Sequence, residues 1–138
     1  MIQRDYIMRM TEMLAKALAK IMLLKEQKQY EKALDEIDLA GKELLNNEFQ
    51  TLKQLSDKDL IKWMFSYEYF DPTKCELWCK LLKAEGEVLE SSGDHRLSRI
   101  RYFQALSLLN ESKERNRESE TKENSELISW LMAKTLNG

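Results

Sequence analysis

His95 is the only histidine in the 138-residue chain, so a catalytic dyad or a histidine-based metal site would have to be built around it. Imidazole titrates near neutral pH and acts as a general base when a pocket and a second group orient it. The sequence offers no such partner near His95. We therefore expect this residue to be packed or solvent-exposed in a turn, and a small helical enzyme that uses His95 is a less favoured alternative.

Cys75 and Cys79 are the only cysteines, and their spacing places both thiols on one face of a helix. That geometry is poor for a disulfide, so we expect reduced thiols in a core. A zinc site from Cys75, Cys79, His95 and a fourth ligand has suitable ligand types, but the second closely spaced pair of a structural zinc site is absent. We predict no bound metal and no cofactor.

Pairs of carboxylates are the remaining candidates for acid–base chemistry, and solvated helix faces explain them in a chain with 33% charged residues. Three such pairs are Asp35 with Asp38, Glu85 with Glu87, and Glu118 with Glu120. The chain also lacks a Glu-x-x-His pair, a phosphate-binding glycine loop and a Gly-x-Ser-x-Gly elbow. We therefore expect a protein that is not an enzyme and has no catalytic residues.

Basic and aromatic side chains are densest in one segment, where Arg96, Arg99 and Arg101 precede Tyr102 and Phe103. Such a cluster can contact nucleic acid, but a helix distributes three arginines at these offsets over more than one face. The formal charge of −2 provides no global attraction for a polyanion. A nucleic-acid-associated regulatory protein is therefore a second, less favoured alternative.

Helices must position these candidates, because apolar residues repeat at helical spacing along most of the chain. Four glycines and one proline also favour helices over a sheet protein with many tight turns. We predict one all-α domain over 1–138, with five or six helices in antiparallel hairpins. Its parts are a hairpin over about 2–45, a bridging aromatic helix over about 57–70, a second hairpin over about 72–112, a charged loop or frayed helix over about 111–126 and a capping helix over about 124–136.

Two helices carry more apolar surface than one neighbour covers. On the first helix, the apolar face contains Tyr6, Ile7, Met10, Met13, Leu14, Leu18, Ile21 and Met22. The bridging helix carries Trp63, Phe65, Tyr67, Tyr69 and Phe70, which with Trp78 and Trp130 are candidate anchors for a partner. A second copy is one way to cover such surface, so we predict a homodimer through the first helix, the bridging helix or both. In the second helix of the second hairpin, the spacing predicts that Ile100, Phe103, Leu106 and Leu109 are buried, with Tyr102 and Ala105 adjoining.

A repeat appears when positions 65 residues apart are compared, which is close to two tetratricopeptide periods of about 34 residues. Gly86 and Gly93 have the spacing of the small crossing residue and the turn glycine of such units, whereas Ile21 and Lys28 depart from it. In the second helices, Tyr30, Ala33, Ile37 and Ala40 correspond to His95, Ser98, Tyr102 and Ala105.

The chain also resembles a family of small uncharacterised bacterial proteins with tetratricopeptide-like helices, a domain of unknown function. The resemblance covers the whole chain, including the opening residues 1–9 and the segment 30–45. It implies a right-handed stack of helical hairpins and a bacterial cytoplasmic origin, and it supplies no catalytic residues. Neither a signal-peptide pattern nor an apolar run of membrane length occurs, so we expect a cytoplasmic protein without a membrane partner.

These observations favour a non-enzymatic helical-repeat protein that acts in protein–protein interaction or self-association. Stacked helical hairpins form grooves that bind peptides or extended segments. The partner, a second protein or another copy of this chain, is not identified by any motif in the sequence.

Overall fold

The computed structural model of the protein describes residues 2–46, 48–66, 71–115 and 121–136. These ranges contain seven α-helices and no strands, which confirms the all-α fold class. The helices are α1 (Ile2–Glu26), α2 (Tyr30–Leu45), α3 (Glu48–Leu52), α4 (Asp57–Phe65), α5 (Pro72–Ser92), α6 (His95–Arg115) and α7 (Lys122–Leu136). The central helix is α5, which packs against α1, α2 and α6. No helix in the described ranges is long and apolar enough to cross a membrane.

The first hairpin consists of α1 and α2, and its turn is short. Lys28 adopts a left-handed conformation with φ of 60°, which lets the chain reverse direction within three residues. Ile21 on α1 is completely buried, as are Ala33 and Ile37 on α2. The facing sides of this hairpin therefore belong to the same hydrophobic core as α5 and α6.

The helix α1 has 25 residues and α2 has 16, so the first turns of α1 extend past the end of α2. Of the broad apolar face predicted for α1, Met10, Leu14 and Ile21 are buried in the core. Tyr6 and Ile7 lie in the extending turns and stay exposed. Packing within one chain therefore covers much of the face that we expected in a dimer interface.

The connection between the hairpins differs from the prediction. It contains the additional short helix α3, whose Phe49 is buried. The bridging helix begins where the sequence predicts, because the Ser56 hydroxyl accepts a hydrogen bond from the amide of Asp59 at 3.1 Å. The described helix α4 ends at Phe65, and the predicted part at 67–70, with Tyr67, Tyr69 and Phe70, lies outside the described residues. Phe65 is buried and Trp63 half-buried, so the described aromatic side chains of α4 pack inward.

The second hairpin consists of α5 and α6. Pro72 occupies the first turn of α5 behind the capping carboxylate of Asp71, and Gly93 ends the helix with a left-handed φ of 94°. At the crossing of the two helices, a Cβ atom on Gly86 would lie 2.4 Å from the ring of Tyr102. The absence of a side chain at Gly86 therefore allows the aromatic ring to approach the α5 backbone.

The charged segment is helical at both ends, and this corrects the predicted loop over about 111–126. The helix α6 continues through Arg115, which donates a hydrogen bond to Glu111 four residues earlier at 2.8 Å. The helix α7 begins at Lys122, and the intervening 116–120 lies outside the described residues. Alternating charges suggested a loop, but i,i+4 ion pairs stabilise a helix with the same composition.

The last helix, α7, packs on α6. The rings of Trp130 and Tyr102 are perpendicular, with centroids 5.3 Å apart, and Leu131 is completely buried. At the same junction the Lys134 ammonium donates to Glu90 at 3.0 Å. An aromatic contact and an ion pair thus hold α7 against the second hairpin.

Candidate functional site

An open groove of about 770 Å³ lies between the exposed side of α6 and the chain segment that leads into α4. This α6 groove is lined by Gln54, Leu55, Ser56, Asp57, His95, Arg96, Arg99, Ile100, Phe103 and Gln104. Ile100 and Phe103 are 41% and 44% exposed, and Leu55 is half-buried beside them. Arg96 is exposed one helical turn before Ile100. The groove therefore combines apolar surface with positive charge.

The prediction that Ile100 and Phe103 are buried is wrong, and the packing of α6 on α5 explains why. The Ser98 hydroxyl donates to the carbonyl oxygen of Gly86 at 2.7 Å, and Tyr102 and Ala105 are buried on the same side of α6. With that side turned inward, residues 100 and 103 lie on other faces of the helix. The repeat correspondence at residues 98, 102 and 105 contained this information, whereas hydrophobicity alone favoured the wrong face.

The groove exists because α4 covers only part of α6. The Ser107 hydroxyl donates to Asp57 at the start of α4 at 3.2 Å, and the Arg115 guanidinium lies 4.8 Å from the ring centre of Phe65 at its end. The two helices therefore run side by side from about residue 107 of α6 onward. Ile100 and Phe103 precede that contact, so no part of α4 covers them.

One wall of the groove is fixed by hydrogen bonds from α6. The Gln104 amide nitrogen donates to the carbonyl oxygens of Lys53 and Leu55, each at 2.8 Å. The Arg101 guanidinium also donates to the Lys53 carbonyl oxygen at 2.9 Å. These bonds use backbone acceptors that a loop would otherwise present to water, so the segment 53–55 is held at a set position.

A buried ionic network around the side chain of Lys53 also holds this wall in place. The Lys53 ammonium donates to Glu85 at 2.6 Å and to Asp38 at 2.7 Å, and Arg101 donates to the other oxygen of Glu85. The network contains two cations and two carboxylates, so its charges balance. The prediction of solvated carboxylates is therefore wrong for Glu85, which is buried, and Glu118 and Glu120 lie outside the described residues. No spacing rule in the sequence connects Lys53 to partners so far along the chain.

A second open cleft, of about 510 Å³, lies between the start of α6 and the end of α7. It is bordered by Glu90, Tyr102 and Lys134. Burial alone would raise the pKa of Glu90, but hydrogen bonds from Lys134 and Tyr102 outweigh it and lower the pKa. Burial and the bond to Glu90 raise the pKa of Tyr102. Both pKa values are moved away from neutral pH, so Glu90 and Tyr102 do not form an acid–base pair there.

His95 is the first residue of α6 and lies at the border of both clefts. Its side chain is exposed, and the ring forms no hydrogen bond within the part of the chain that the structure describes. Cys75 and Cys79 are buried, with their sulfur atoms 3.9 Å and 3.7 Å from the carbonyl oxygens of Leu108 and Ala105. Burial raises the pKa of Cys79, which keeps this thiol protonated.

These carbonyl groups lie about 15 Å or more along α6 from His95, so the three candidate zinc ligands are not brought together. Among the described side chains, no group of three or more His, Cys, Asp or Glu residues is arranged to hold a metal ion. The sequence residues with metal-binding chemistry thus occupy separate parts of the second hairpin.

The arginine and aromatic cluster is divided between the surface and the core. Arg96, Arg99 and Phe103 are exposed, whereas Arg101 and Tyr102 are buried. Arg101 is neutralised by Glu85 and has no access to a phosphate. The exposed remainder has an apolar centre and a positive end, and it forms no basic stripe.

The expected aromatic anchors that the structure describes lie in the hydrophobic core or pack against it. Trp78 is completely buried, with its ring 4.9 Å from Phe49 and 6.4 Å from Trp63. Trp130 is half-buried between Tyr102 and the Lys83 ammonium, which lies 4.3 Å from its ring centre. The role of Trp78 as a partner anchor is therefore contradicted, and exposed apolar surface occurs at Ile100 and Phe103 instead. No protein-family model, curated protein or solved structure matches this chain.

Proposed function

We propose that this chain is a non-enzymatic protein-interaction module that binds an acidic amphipathic segment of a partner protein in the α6 groove. The observation that carries the proposal is the pair of exposed apolar side chains, Ile100 and Phe103, beside Arg96. A tetratricopeptide-like stack in a bacterial cytoplasm is part of the same proposal. It is supported by the close crossing at Gly86 and by two buried, unpaired thiols.

Binding in the groove is supported by the way its wall is held. Two side chains of α6, Gln104 and Arg101, hydrogen-bond the backbone at 53–55. A wall fixed in this way loses little conformational entropy when a ligand arrives, so contact with Ile100 and Phe103 is converted more fully into affinity. The volume of the groove, about 770 Å³, is within the range of protein ligand sites.

The chemistry of the partner segment follows from the charges around the apolar surface. Arg96 and Arg99 lie on the same side of α6 as Ile100, and Asp57 at the far end is bonded to Ser107. A carboxylate on the partner next to an apolar side chain would meet both complementary surfaces. A lysine-rich or arginine-rich segment would be repelled by Arg96 and Arg99.

A random peptide library displayed on phage tests the proposal directly. Selection on the intact protein should enrich peptides that carry aliphatic or aromatic residues within one or two positions of Asp or Glu. A synthetic peptide from the enriched set should bind about tenfold more weakly to Ile100→Ser and to Phe103→Ser, because each change removes exposed apolar contact without disturbing the core. Arg96→Glu should shift the preference away from acidic peptides.

Leu39→Ser is the matched control, since Leu39 is an exposed apolar residue on α2 and does not line the groove. It should leave peptide affinity unchanged, and circular dichroism should show that every variant stays helical. A library without enriched sequences would contradict the proposal. Peptides that bind Ile100→Ser as tightly as the original protein would contradict it as well.

A further inference from the structure

A second surface, on α1, is independent of the α6 groove. The side of α1 that faces away from α2 and α5 carries apolar and small residues between two opposite charges. This outer stripe consists of Arg4, Met8, Thr11, Ala15, Ala19, Met22 and Glu26. Met8 is 53% exposed, both alanines are exposed and Met22 is half-buried. Met8, Ala15 and Met22 are seven residues apart, which keeps them on one side of the helix as in the seam of a coiled coil.

The 65-residue repeat allows the burial of residues on α1 to be compared with that of equivalent residues on α5. Ala19 and Leu23 on α1 correspond to Ala84 and Val88 on α5 in the 65-residue repeat, and both α5 residues are buried. The equivalent residues of α1 are exposed. At these two positions α5 is covered where α1 is open, whereas the counterparts of Met8, Ala15 and Met22, which are Thr73, Lys80 and Glu87, are half-buried.

The order of residues along the outer stripe is self-complementary. In an antiparallel pairing of two α1 helices centred on Ala15, residues at equal distances on either side of Ala15 lie opposite each other. Met8 of one copy then meets Met22 of the other, and Arg4 meets Glu26. The small side chain of Ala15 at the centre lets the helices approach closely. A parallel pairing would instead place Arg4 against Arg4 and Glu26 against Glu26, so charge selects the antiparallel arrangement.

We propose that the chain forms a two-fold symmetric homodimer in which the outer stripes of two α1 helices pair antiparallel about Ala15. Arg4 and Glu26 are suited to this contact because neither forms an ion pair with any other side chain that the structure describes. Two-fold symmetry creates the Arg4–Glu26 pair twice, once at each end of the interface.

Light scattering over a range of protein concentrations tests the homodimer. The mass should rise from 16.4 kDa toward twice that value as concentration increases. Ala15→Glu places two carboxylates together on the symmetry axis and should therefore weaken association at least a hundredfold. The helix should stay folded, because Ala15 is exposed. Leu39→Glu, an equivalent change on an exposed part of α2, should leave the mass unchanged.

Charge exchange tests the register. Arg4→Glu and Glu26→Arg should each weaken self-association about tenfold, since both ends of the interface then carry like charges. An equimolar mixture of the two variants should dimerise as well as the original protein. A mass that stays at 16.4 kDa at every concentration would overturn the proposal, as would a dimer that Ala15→Glu does not dissociate.

Cross-linking distinguishes this register from others. Ala15→Cys should form a disulfide-linked dimer under mild oxidation, because position 15 lies on the axis and Cys75 and Cys79 are buried. Ala19→Cys should not, because its two copies would be separated by about 12 Å along the helix axis. Efficient cross-linking at 19 and none at 15 would overturn the antiparallel pairing about Ala15.

Discussion

Both hairpins have an ion pair at equivalent positions, but the pair is exposed to solvent in the first hairpin and buried in the second. In the first hairpin, Lys20 Nζ lies 2.9 Å from Glu36 Oε1, with the side chains 60% and 22% exposed. The residues 65 positions later are Glu85 and Arg101, which also pair, with the charges reversed and each side chain only 5% exposed. One crossing of two helices therefore carries a solvated salt bridge, and its repeat carries a buried one.

The difference lies in the surroundings of the pair. In the second hairpin the connection between the hairpins adds a Lys53 ammonium to Glu85 and a Lys53 carbonyl oxygen to Arg101. Buried charges are tolerated when additional hydrogen bonds satisfy them, and the network supplies those bonds. In the first hairpin, no other described residue adds an ion pair or a hydrogen bond to Lys20 or Glu36. The same pair of positions is therefore a surface feature in one hairpin and a structural anchor in the other.

Removal of one cation from each pair should give the largest contrast between the hairpins. Arg101→Ala should lower the free energy of unfolding by about 3–5 kcal/mol, because it leaves part of a buried carboxylate uncompensated. Lys20→Ala should lower it by less than about 1 kcal/mol, because water replaces the ammonium. Urea unfolding monitored by circular dichroism measures both values. Equal losses would show that the two pairs contribute alike.

The crossing at Gly86 should give an intermediate effect. Gly86→Ala introduces a Cβ atom 2.4 Å from the ring of Tyr102, so the ring must move, at a cost of about 1–3 kcal/mol. In a Tyr102→Leu background the cost of Gly86→Ala should shrink, which a double-mutant cycle of unfolding free energies measures. If the two changes are additive, the close approach of Gly86 and Tyr102 does not limit the packing.

The turns should give the smallest effect. In the first turn, the amide of Lys28 donates to the carbonyl oxygen of Lys25, and the amide of Gln29 donates to that of Leu24. In the second turn, the amides of Gly93 and Asp94 donate in the same way to the carbonyl oxygens of Glu90 and Leu89. Both turn residues have positive φ, but only one is glycine. Lys28→Gly should therefore raise the unfolding free energy by about 1 kcal/mol. Gly93→Lys should lower it by a similar amount, and thermal unfolding can measure both. A loss of stability in Lys28→Gly would contradict the equivalence of the turns.

Much of the fold could be predicted from local patterns. Helical periodicity gave the class and most helix positions, and the predicted starts at about 57 and 72 agree with the Ser56 and Asp71 caps of the structure. The short helix α3 could not be predicted, because its five residues have too little periodicity and tertiary contacts at Phe49 decide its conformation. The sequence left the charged segment open between a loop and a frayed helix, because alternating charge is compatible with both.

The groove was harder to predict than the fold. Hydrophobicity placed Ile100 and Phe103 in the core, whereas Arg101 and Gln104 occupy buried positions because partners 48 to 51 residues earlier satisfy their polar groups. Contacts at that separation leave no mark on a local pattern. The 65-residue repeat did indicate the correct side, because it placed Ser98, Tyr102 and Ala105 on the buried side of α6.

The anchoring of the segment 53–55 by α6 also orders events during synthesis. The backbone acceptors at Lys53 and Leu55 leave the ribosome well before Gln104, the residue that binds them. A nascent chain that ends before α6 contains the segment 53–55 but lacks Arg101 and Gln104, which hold it, and the groove residues of α6. The groove therefore forms only after α6 has been made, and a partner of the kind proposed would bind only chains whose second hairpin is complete.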